Sequence, residues 1–191
     1  TKAIYTIDMG QNDLRYALDG SNTYEKIVTR MIPKFLEMVR NAIKELYHLG
    51  GRKFWLYNTG PLGCLPKFRL DAWNYTRELD GVRCRLVYNH VANAFNKELS
   101  ILCETMRSEL EDAVIIYNDM YSIKYDLFAN PHKYGFENPM EDCISSPTVC
   151  PRRVTFDGIH YTEAANGIVA CKILSGELSW PNIKLHDLCK K

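Results

Sequence analysis

The stretch YTIDMGQNDL (residues 5–14) opens the alternation of strands and helices that decides the fold of this chain. β-Branched and aromatic residues dominate residues 2–7 and a glycine follows closely, so this part predicts a short β-strand. The polar cluster at 10–13 then lies at the carboxyl end of that strand. Asn and Asp often simply form a turn after a strand, so a functional interpretation of this cluster depends on the rest of the chain.

Two further segments predict β-strands, because each is rich in β-branched and aromatic residues and ends in turn-forming residues. They are RKFWLYN (52–58) and AVIIYND (113–119). Helical segments lie between the three strands, which implies βαβ crossovers and a mainly parallel sheet covered on both faces. We therefore predict an α/β fold. No repeat or low-complexity linker divides the chain, so we expect a single domain over residues 1–191.

The helices are predicted from apolar residues that recur every three or four positions. This periodicity covers residues 27–47, where we expect Pro33 to kink the helix, and residues 87–110. The remaining segments are predicted as a shorter helix (120–130), a long irregular loop (131–156) and a helix capped by Thr162 (162–176).

The order of these elements indicates where a ligand would bind. In open parallel sheets the crevice lies beyond the carboxyl ends of the strands. That rule puts Asn12 on the same rim as residues 58–61, Asn118 and Asp119, which follow the second and third strands. The polar cluster after the first strand is therefore in a position where chemistry is expected.

The composition excludes several classes of partner. With 24 basic and 23 acidic residues the chain has no positive field for nucleic acid, so we expect no nucleic-acid partner. No apolar run approaches the roughly 18–20 residues that a membrane span requires, so none is predicted. No cysteines have the CxxC spacing of zinc sites, and nothing in the sequence indicates a metal or nucleotide cofactor.

The cysteine content favours an oxidising compartment. Seven cysteines are many for a cytosolic protein of 191 residues, so a secreted protein is expected. The chain begins with Thr1, and the first predicted strand starts within a residue or two of it, so we expect that something upstream has been removed. Asn74 lies in the only Asn-x-Ser/Thr sequence and is a glycosylation candidate.

Four of the cysteines are candidates for disulfide bonds. Cys143 and Cys150 lie in a proline-rich, loop-like stretch and would close a short disulfide loop. Cys64 and Cys84 bracket a second polar stretch and form our other predicted pair. Two others, at positions 103 and 171, fall on apolar helix faces and are predicted to be buried free thiols.

The stretch TFDGIHYTEAAN contains Asp157 three residues before His160. A carboxylate at this offset, in a loop just before a helix, can accept a hydrogen bond from Nδ1–H of the imidazole. The other ring nitrogen would then face the crevice as a general base. The spacing alone is weak, because a turn-forming Asp and a loop His can also lie three residues apart by chance.

The combination of patterns resembles the SGNH hydrolases, specifically the plant GDSL-type esterase/lipases. It consists of a strand ending in Gly-x-Asn-Asp, then YNTGPLGCLP, then Asp-x-x-His leading into TEAAN, and it extends from residue 1 to about residue 189. The resemblance implies a secreted ester hydrolase with a flavodoxin-like three-layer sandwich, a Ser-Asp-His triad, and neither a metal nor a cofactor. The substrate would be an ester of a small molecule, a lipid or an acylated carbohydrate.

The resemblance also implies roles for individual residues. Asn12 matches the asparagine of the oxyanion hole, and Gly10 belongs to the same motif, with Asp13 as a more structural neighbour. Asp157 matches the triad carboxylate, and His160 matches the catalytic base. These assignments agree with the chemistry of an acyl-enzyme, which needs an activated hydroxyl, a group that orients the base, and donors aimed at the developing oxyanion.

The sequence departs from the family in one major respect. The Gly-Asp-Ser block with the nucleophile, and a second block with an oxyanion glycine, both belong upstream of residue 5, and neither is present. None of the eight serines follows Gly-Asp or stands in a Gly-x-Ser-x-Gly elbow. Ser21, in LDGSN, begins a helical segment, so we interpret it as an N-cap. The loop before Cys150 is also shorter than is usual in the family.

Three interpretations remain open on the sequence alone. In the first, the chain is the C-terminal part of an ester hydrolase whose nucleophile and first two strands lie on other sequence, which would leave an uncovered strand edge prone to association. In the second, it is a short paralogue that has lost its nucleophile and binds a ligand or a partner. In the third, Asp157 and His160 are only structural.

Overall fold

A four-stranded sheet organises the structure. The computed structural model describes residues 3–18, 21–70 and 78–190. Strands β1 (Tyr5–Asp8), β2 (Lys53–Tyr57) and β3 (Val114–Asn118) are parallel, and β4 (Ser179–Trp180) pairs with β3 in the antiparallel direction, which gives the order β1-β2-β3-β4. The predicted α/β fold with a mainly parallel sheet is confirmed. Strand β4 was not predicted, because two residues are too few to show an alternation.

Eight α-helices lie within the described ranges. They are α1 (Gln11–Ala17), α2 (Tyr24–Lys26), α3 (Ile32–His48), α4 (Pro66–Leu70), α5 (Leu86–Glu109), α6 (Met120–Ala129), α7 (Glu163–Ser175) and α8 (Leu185–Lys190). The two long helices predicted by periodicity, α3 and α5, pack against each other, and α5 packs on β3. The predicted irregular loop contains two short 3₁₀ turns, Pro131–Tyr134 and Pro147–Arg152.

Both faces of the sheet are covered, as the strand sequences indicate. Phe54 and Leu56 of β2 belong to the main core with α3 and α5, whereas Trp55 points to the opposite face and packs with Ile116 and Leu188. Because successive side chains of a strand point to opposite faces, a strand buried on both faces becomes continuously apolar. This accounts for the uninterrupted apolar run FWLY (54–57) in β2. Lys53, just before this run, places its ammonium against a carbonyl of α8.

The helix around Pro33 is irregular in a specific way. A π-helical turn, Ile27–Met31, joins α2 to α3, and Pro33 lies in the first turn of α3. Proline has no N–H to donate and its ring crowds the carbonyl four residues back, so the change in helical pitch relieves both problems. The prediction that Ser21 caps this helix was wrong: Thr23 is the N-cap, with its hydroxyl accepting from the N–H of Lys26 at 3.2 Å.

The two predicted disulfides, Cys64–Cys84 and Cys143–Cys150, are both present. Cys103 is a buried free thiol, as expected, and desolvation raises its pKa to about 12. The prediction for Cys171 was wrong, because this thiol is exposed. Helix α7 buries Ala165 and Val169. Cys171 lies two positions after Val169, so it is rotated about 200° around the helix axis and faces away from the core.

Two further predictions meet the structure differently. The glycosylation candidate Asn74 lies outside the described residues. The described helices include none with both the length and the apolarity needed to cross a bilayer.

Candidate active site

A cavity of about 380 Å³ lies at the carboxyl ends of β1 and β2. It is bounded by residues 10–13 after β1, by Thr59 and Gly60 after β2, by Lys124 of α6, and by His160 from the loop before α7. These segments are far apart in sequence. They meet here because parallel strands end at the same edge of the sheet.

Gly10 forms the sharp turn from β1 into α1. Its φ of 117° lies in the left-handed region, and a Cβ atom at this position would be 2.6 Å from Cζ of Phe95. Only glycine meets both conditions without strain. The carbonyl of Gly10 accepts from the N–H of Leu14 at 2.9 Å, so the helix starts immediately after the strand. The turn therefore puts Asn12 in the first turn of α1, at the cavity.

Asn12 and Asp13 both line the cavity, as the sequence predicted for this cluster. The side chain of Asn12 is exposed, so its amide N–H groups are accessible to a ligand. An amide is a neutral donor and can stabilise an oxyanion without changing protonation state. Asp13 is half-buried.

The pair Asp157 and His160 is formed as the spacing predicted. Oδ2 of Asp157 lies 2.7 Å from Nδ1 of His160, and Oδ1 accepts the N–H groups of Ile159 and His160 at 2.9 and 2.8 Å. The four-residue turn thus holds its own carboxylate in place. Gly158, with a φ of 83°, allows the chain to close tightly.

The electrostatics of this turn keep Asp157 ionised. Desolvation opposes ionisation of Asp157, but the hydrogen bonds from the N–H and the ring of His160 outweigh it and lower the pKa of the carboxyl to about 2. An ionised carboxylate only accepts hydrogen bonds, so Nδ1 of His160 carries the proton. Nε2 is then the basic nitrogen of a side chain that is 77% exposed and borders the cavity.

The loop that precedes this pair is braced by a buried arginine and a disulfide. The buried guanidinium of Arg153 donates to the carbonyl of Glu137 at 2.9 Å and forms an ion pair with Glu141. The N–H of Cys143 donates to the carbonyl of Thr155 at 3.2 Å, and the disulfide between Cys143 and Cys150 closes the same loop. The predicted irregular loop therefore has a function in the structure, which is to hold the segment around Asp157.

The rim residues after β2 and β3 differ in what they do. Asn58 donates to Tyr117 Oη at 2.7 Å and to Asp119 Oδ1 at 2.9 Å. Asn58 and Asp119 therefore brace the rim, and neither of these two residues borders the cavity. The buried side chain of Asn118 does not border it either. Of this predicted set, only Thr59 and Gly60 reach the cavity.

The sequence reasoning missed several residues of the site, among them Asn96, Arg15 and Lys124. Asn96 of α5 holds the backbone of Thr59 through two hydrogen bonds, each 2.9 Å long. Arg15 and Lys124 line the cavity from α1 and α6. Arg15 lies three residues after Asn12, a helical spacing that could have indicated a shared face. No comparable signal was available for Asn96 and Lys124.

The residue types present limit the chemistry of the site. The described residues contain no group of three His, Cys, Asp or Glu side chains that could hold a metal ion. None of the eight serines, all of which belong to the described ranges, borders the cavity. The site therefore combines an imidazole, a carboxylate hydrogen-bonded to it and a primary amide, without a serine hydroxyl from these 191 residues.

Comparison with known proteins identifies the family of this chain. Residues 1–173 match the model of the family described as GDSL-like Lipase/Acylhydrolase. The chain is 41% identical over 99% of its length to the GDSL esterase/lipase LIP-4 of Arabidopsis thaliana, and 34% identical over 99% to the GDSL esterase/lipase ACHE of Zea mays. It spans about 55% of the length of each of these relatives. The chain belongs to the family of GDSL-like lipases and acylhydrolases.

Proposed function

We propose that this chain is the base-bearing part of a carboxylic ester hydrolase that acts through a Ser-Asp-His triad, with its nucleophilic serine on sequence outside residues 1–191. The observation that carries the proposal is the pair Asp157–His160 at the same cavity as Asn12, in a chain of the GDSL family. The coverage of about 55% of the relatives' length is compatible with a nucleophile on other sequence.

The proposed mechanism uses the atoms at the cavity. Nε2 of His160 takes the proton of the serine hydroxyl as its oxygen attacks the ester carbonyl, while Asp157 keeps the ring oriented and stabilises its positive charge. The amide of Asn12 donates to the oxyanion of the tetrahedral intermediate, a contribution typically worth about 2.7–4 kcal/mol. His160 then returns the proton to the departing alcohol, and the same base activates the water that hydrolyses the acyl-enzyme.

The surroundings of β1 support a nucleophile contributed from other sequence. Strand β1 pairs with β2 on one side, and the described residues provide no strand on its other side. An apolar hollow of about 220 Å³ lies beside it, lined by side chains that include Ile7, Met9, Phe35 and Val39. An unpaired edge next to an apolar surface is suited to receive a further strand.

A serine-reactive fluorophosphonate probe tests the proposal on the natural source protein. We expect one labelled serine, on a Gly-Asp-Ser peptide contiguous with Thr1, and we expect labelling to fall strongly in a His160→Ala variant. A label on any of the eight serines of this chain would contradict an external nucleophile. No label on the natural protein would favour the alternative, a paralogue without a nucleophile that binds a ligand or an interaction partner.

We further propose that the protein is secreted, as its cysteine content suggests. The two disulfides support an oxidising compartment. Mass spectrometry of the natural protein under non-reducing conditions should find both bonds, and glycosidase treatment should remove a glycan from Asn74. An unmodified Asn74 would leave secretion supported only by the disulfides, and reduced cysteines at all four positions would contradict it.

A further inference from the structure

Two cationic side chains border the cavity without forming an ion pair to any of the described residues. Arg15 and Lys124 both border the cavity, and neither forms an ion pair within 4.0 Å among the residues described. The mechanism above uses neither of them. A half-buried cation without a carboxylate partner is costly unless a ligand or an aromatic ring compensates it.

Lys124 is directed to the cavity by its neighbours. Its ammonium lies 4.9 Å from the ring centroid of Tyr161, and its stem passes Gly60 so closely that a Cβ there would be 2.9 Å from Cδ of the lysine. Desolvation lowers the pKa of Lys124, while the negative charge of Asp8 acts in the opposite direction. An aromatic face and a glycine therefore hold Lys124 at the cavity.

Arg15 is held in a similar way on the neighbouring helix. Its guanidinium carbon lies 5.3 Å from the ring centroid of Phe68, and its Nε atom is buried without a hydrogen-bond partner in the part of the chain that is described. A guanidinium presents its donors as a planar fork, which is the geometry that binds a planar carboxylate.

The charges of the cavity sum to zero, since Asp8 and Asp13 also border it. The cavity therefore has no net charge that would attract every anion, and a preference for a carboxylate would come from direct contact with Arg15 and Lys124. A site with partnerless donors discriminates strongly against a ligand that lacks the matching group, because the donors would stay desolvated and unpaired.

We propose that Arg15 and Lys124 form an anion subsite beside Asn12 and His160, and that the preferred substrate is an ester that carries a carboxylate on its acyl or alcohol part. This inference rests on the proposed esterase function and specifies its substrate class. The carboxylate would lie against the two cations while the ester carbonyl lies between the amide of Asn12 and the base.

Two pairs of esters test the subsite on the full-length natural protein. Mono-p-nitrophenyl succinate is compared with p-nitrophenyl butyrate, and 4-acetoxybenzoate is compared with 4-acetoxybenzamide. We expect kcat/KM to favour the anionic ester of at least one pair, and we expect Lys124→Met to reduce that ratio at least tenfold. Lys34→Met, on an exposed position of α3, is the charge-matched control and should leave the ratio unchanged. An unchanged ratio in Lys124→Met, or equal losses for both members of a pair, would overturn the subsite.

Gly60 offers a second variant that keeps the lysine. Gly60→Ala should displace the stem of Lys124 and reduce the same ratio, and it should have no further effect on the ratio when Lys124 is already Met. Additive effects of the two substitutions would contradict the contact that we propose. Circular dichroism and thermal unfolding of each variant identify any that fail to fold.

Binding without turnover separates the two proposals. Calorimetric titration with 4-acetamidobenzoate and with 4-acetamidobenzamide measures recognition of the carboxylate without an ester bond. Tighter binding of the acid by the natural protein, weakened in Lys124→Met, would support the subsite even if no ester were hydrolysed, in which case the esterase proposal alone would fail. Equal affinity for acid and amide would overturn the subsite whatever the esterase activity.

Discussion

Asn96 of α5 exchanges two hydrogen bonds with the backbone of Thr59: its Oδ1 accepts the N–H and its Nδ2 donates to the carbonyl, both at 2.9 Å. The buried amide thus satisfies a loop that has no strand partner at this point. It also fixes the wall of the cavity that contains Gly60. The neighbouring turn is held similarly, because Oδ1 of Asn89 accepts the N–H of Gly63 at 2.8 Å.

Replacing Asn96 by Ala should lower both stability and activity. Two buried backbone groups would lose their partners, and each such group costs about 1–3 kcal/mol. Urea unfolding measures the loss of stability, and kcat/KM on an ester measures the displacement of the cavity wall. Lys97→Ala, at an exposed position of the same helix, should stay within about 0.5 kcal/mol of the natural protein. Equal stabilities for the two variants would contradict the bracing role.

Gly10→Ala should destabilise the turn into α1. The left-handed φ of 117° and the 2.6 Å approach to Phe95 together should cost about 1–3 kcal/mol in the free energy of unfolding. Gly167→Ala in α7 is a matched control, since its Cβ would meet nothing within 4 Å and its backbone is helical. In that control the free energy of unfolding should rise by about 0.5–1 kcal/mol, because alanine has a higher helix propensity than glycine. A Gly10→Ala variant as stable as the control would show that the turn relaxes without strain.

Asp157 should contribute to stability in a defined pH range. Its pKa in the folded state, about 2, lies below the value of about 3.9 for an unfolded chain. The contribution is therefore fully present above about pH 4 and is lost as the pH falls through 2. Asp157→Asn should flatten the loss of stability between these pH values, which urea unfolding at several pH values measures. The same substitution should reduce kcat by roughly 10³–10⁴-fold, because the imidazole would be held in the wrong tautomer.

Asp126 provides the control for this prediction. Desolvation opposes its ionisation, but hydrogen bonds from Tyr134, Lys133 and Asn130 lower its pKa to about 2 as well. Asp126→Asn should therefore flatten the acid loss of stability in the same range without removing turnover, because this carboxylate does not border the cavity. If both variants kept full turnover, Asp157 would have no part in the mechanism.

The two disulfides should differ in their effect on stability. Cys64 and Cys84 are separated by 20 positions, and Cys143 and Cys150 by seven. Loop-closure entropy then predicts stabilisation of roughly 3 kcal/mol for the first bond and roughly 2 kcal/mol for the second. Unfolding of the two Cys→Ser double variants in urea compares these values. We expect the second variant to lose more activity despite its smaller loss of stability, because its bond closes the loop that braces Asp157.

The sequence was sufficient for those parts of the fold that local patterns determine. The run KFWLY and the four-residue spacing in α5 each reflect burial of a face, so the strands and long helices could be predicted. The Asp157–His160 contact could also be predicted, since both residues belong to one turn. The position of Asn12 followed from the rule that parallel strands end on one side.

Other features depend on tertiary contacts that the sequence does not encode locally. Asn96 lies on the buried face of α5 among apolar residues, and its partner is 37 positions away. Lys124 reaches the cavity because Gly60, on another segment, leaves room for its stem. The exposure of Cys171 was mispredicted because α7 is apolar on more than the side that packs on the core.

The turn from Asp157 to His160 obtains its geometry from its own backbone N–H groups, and this has a consequence for evolution within such a fold. The hydrogen bonds inside these four residues keep the carboxylate and the imidazole together, while the loop before them sets where the pair lies. Under the proposed function, changes in the distant residues of the rim would alter how this pair is placed relative to the cavity. Substitutions at positions such as Gly10, Gly60 and Asn96 could silence the site while leaving its acid–base module intact.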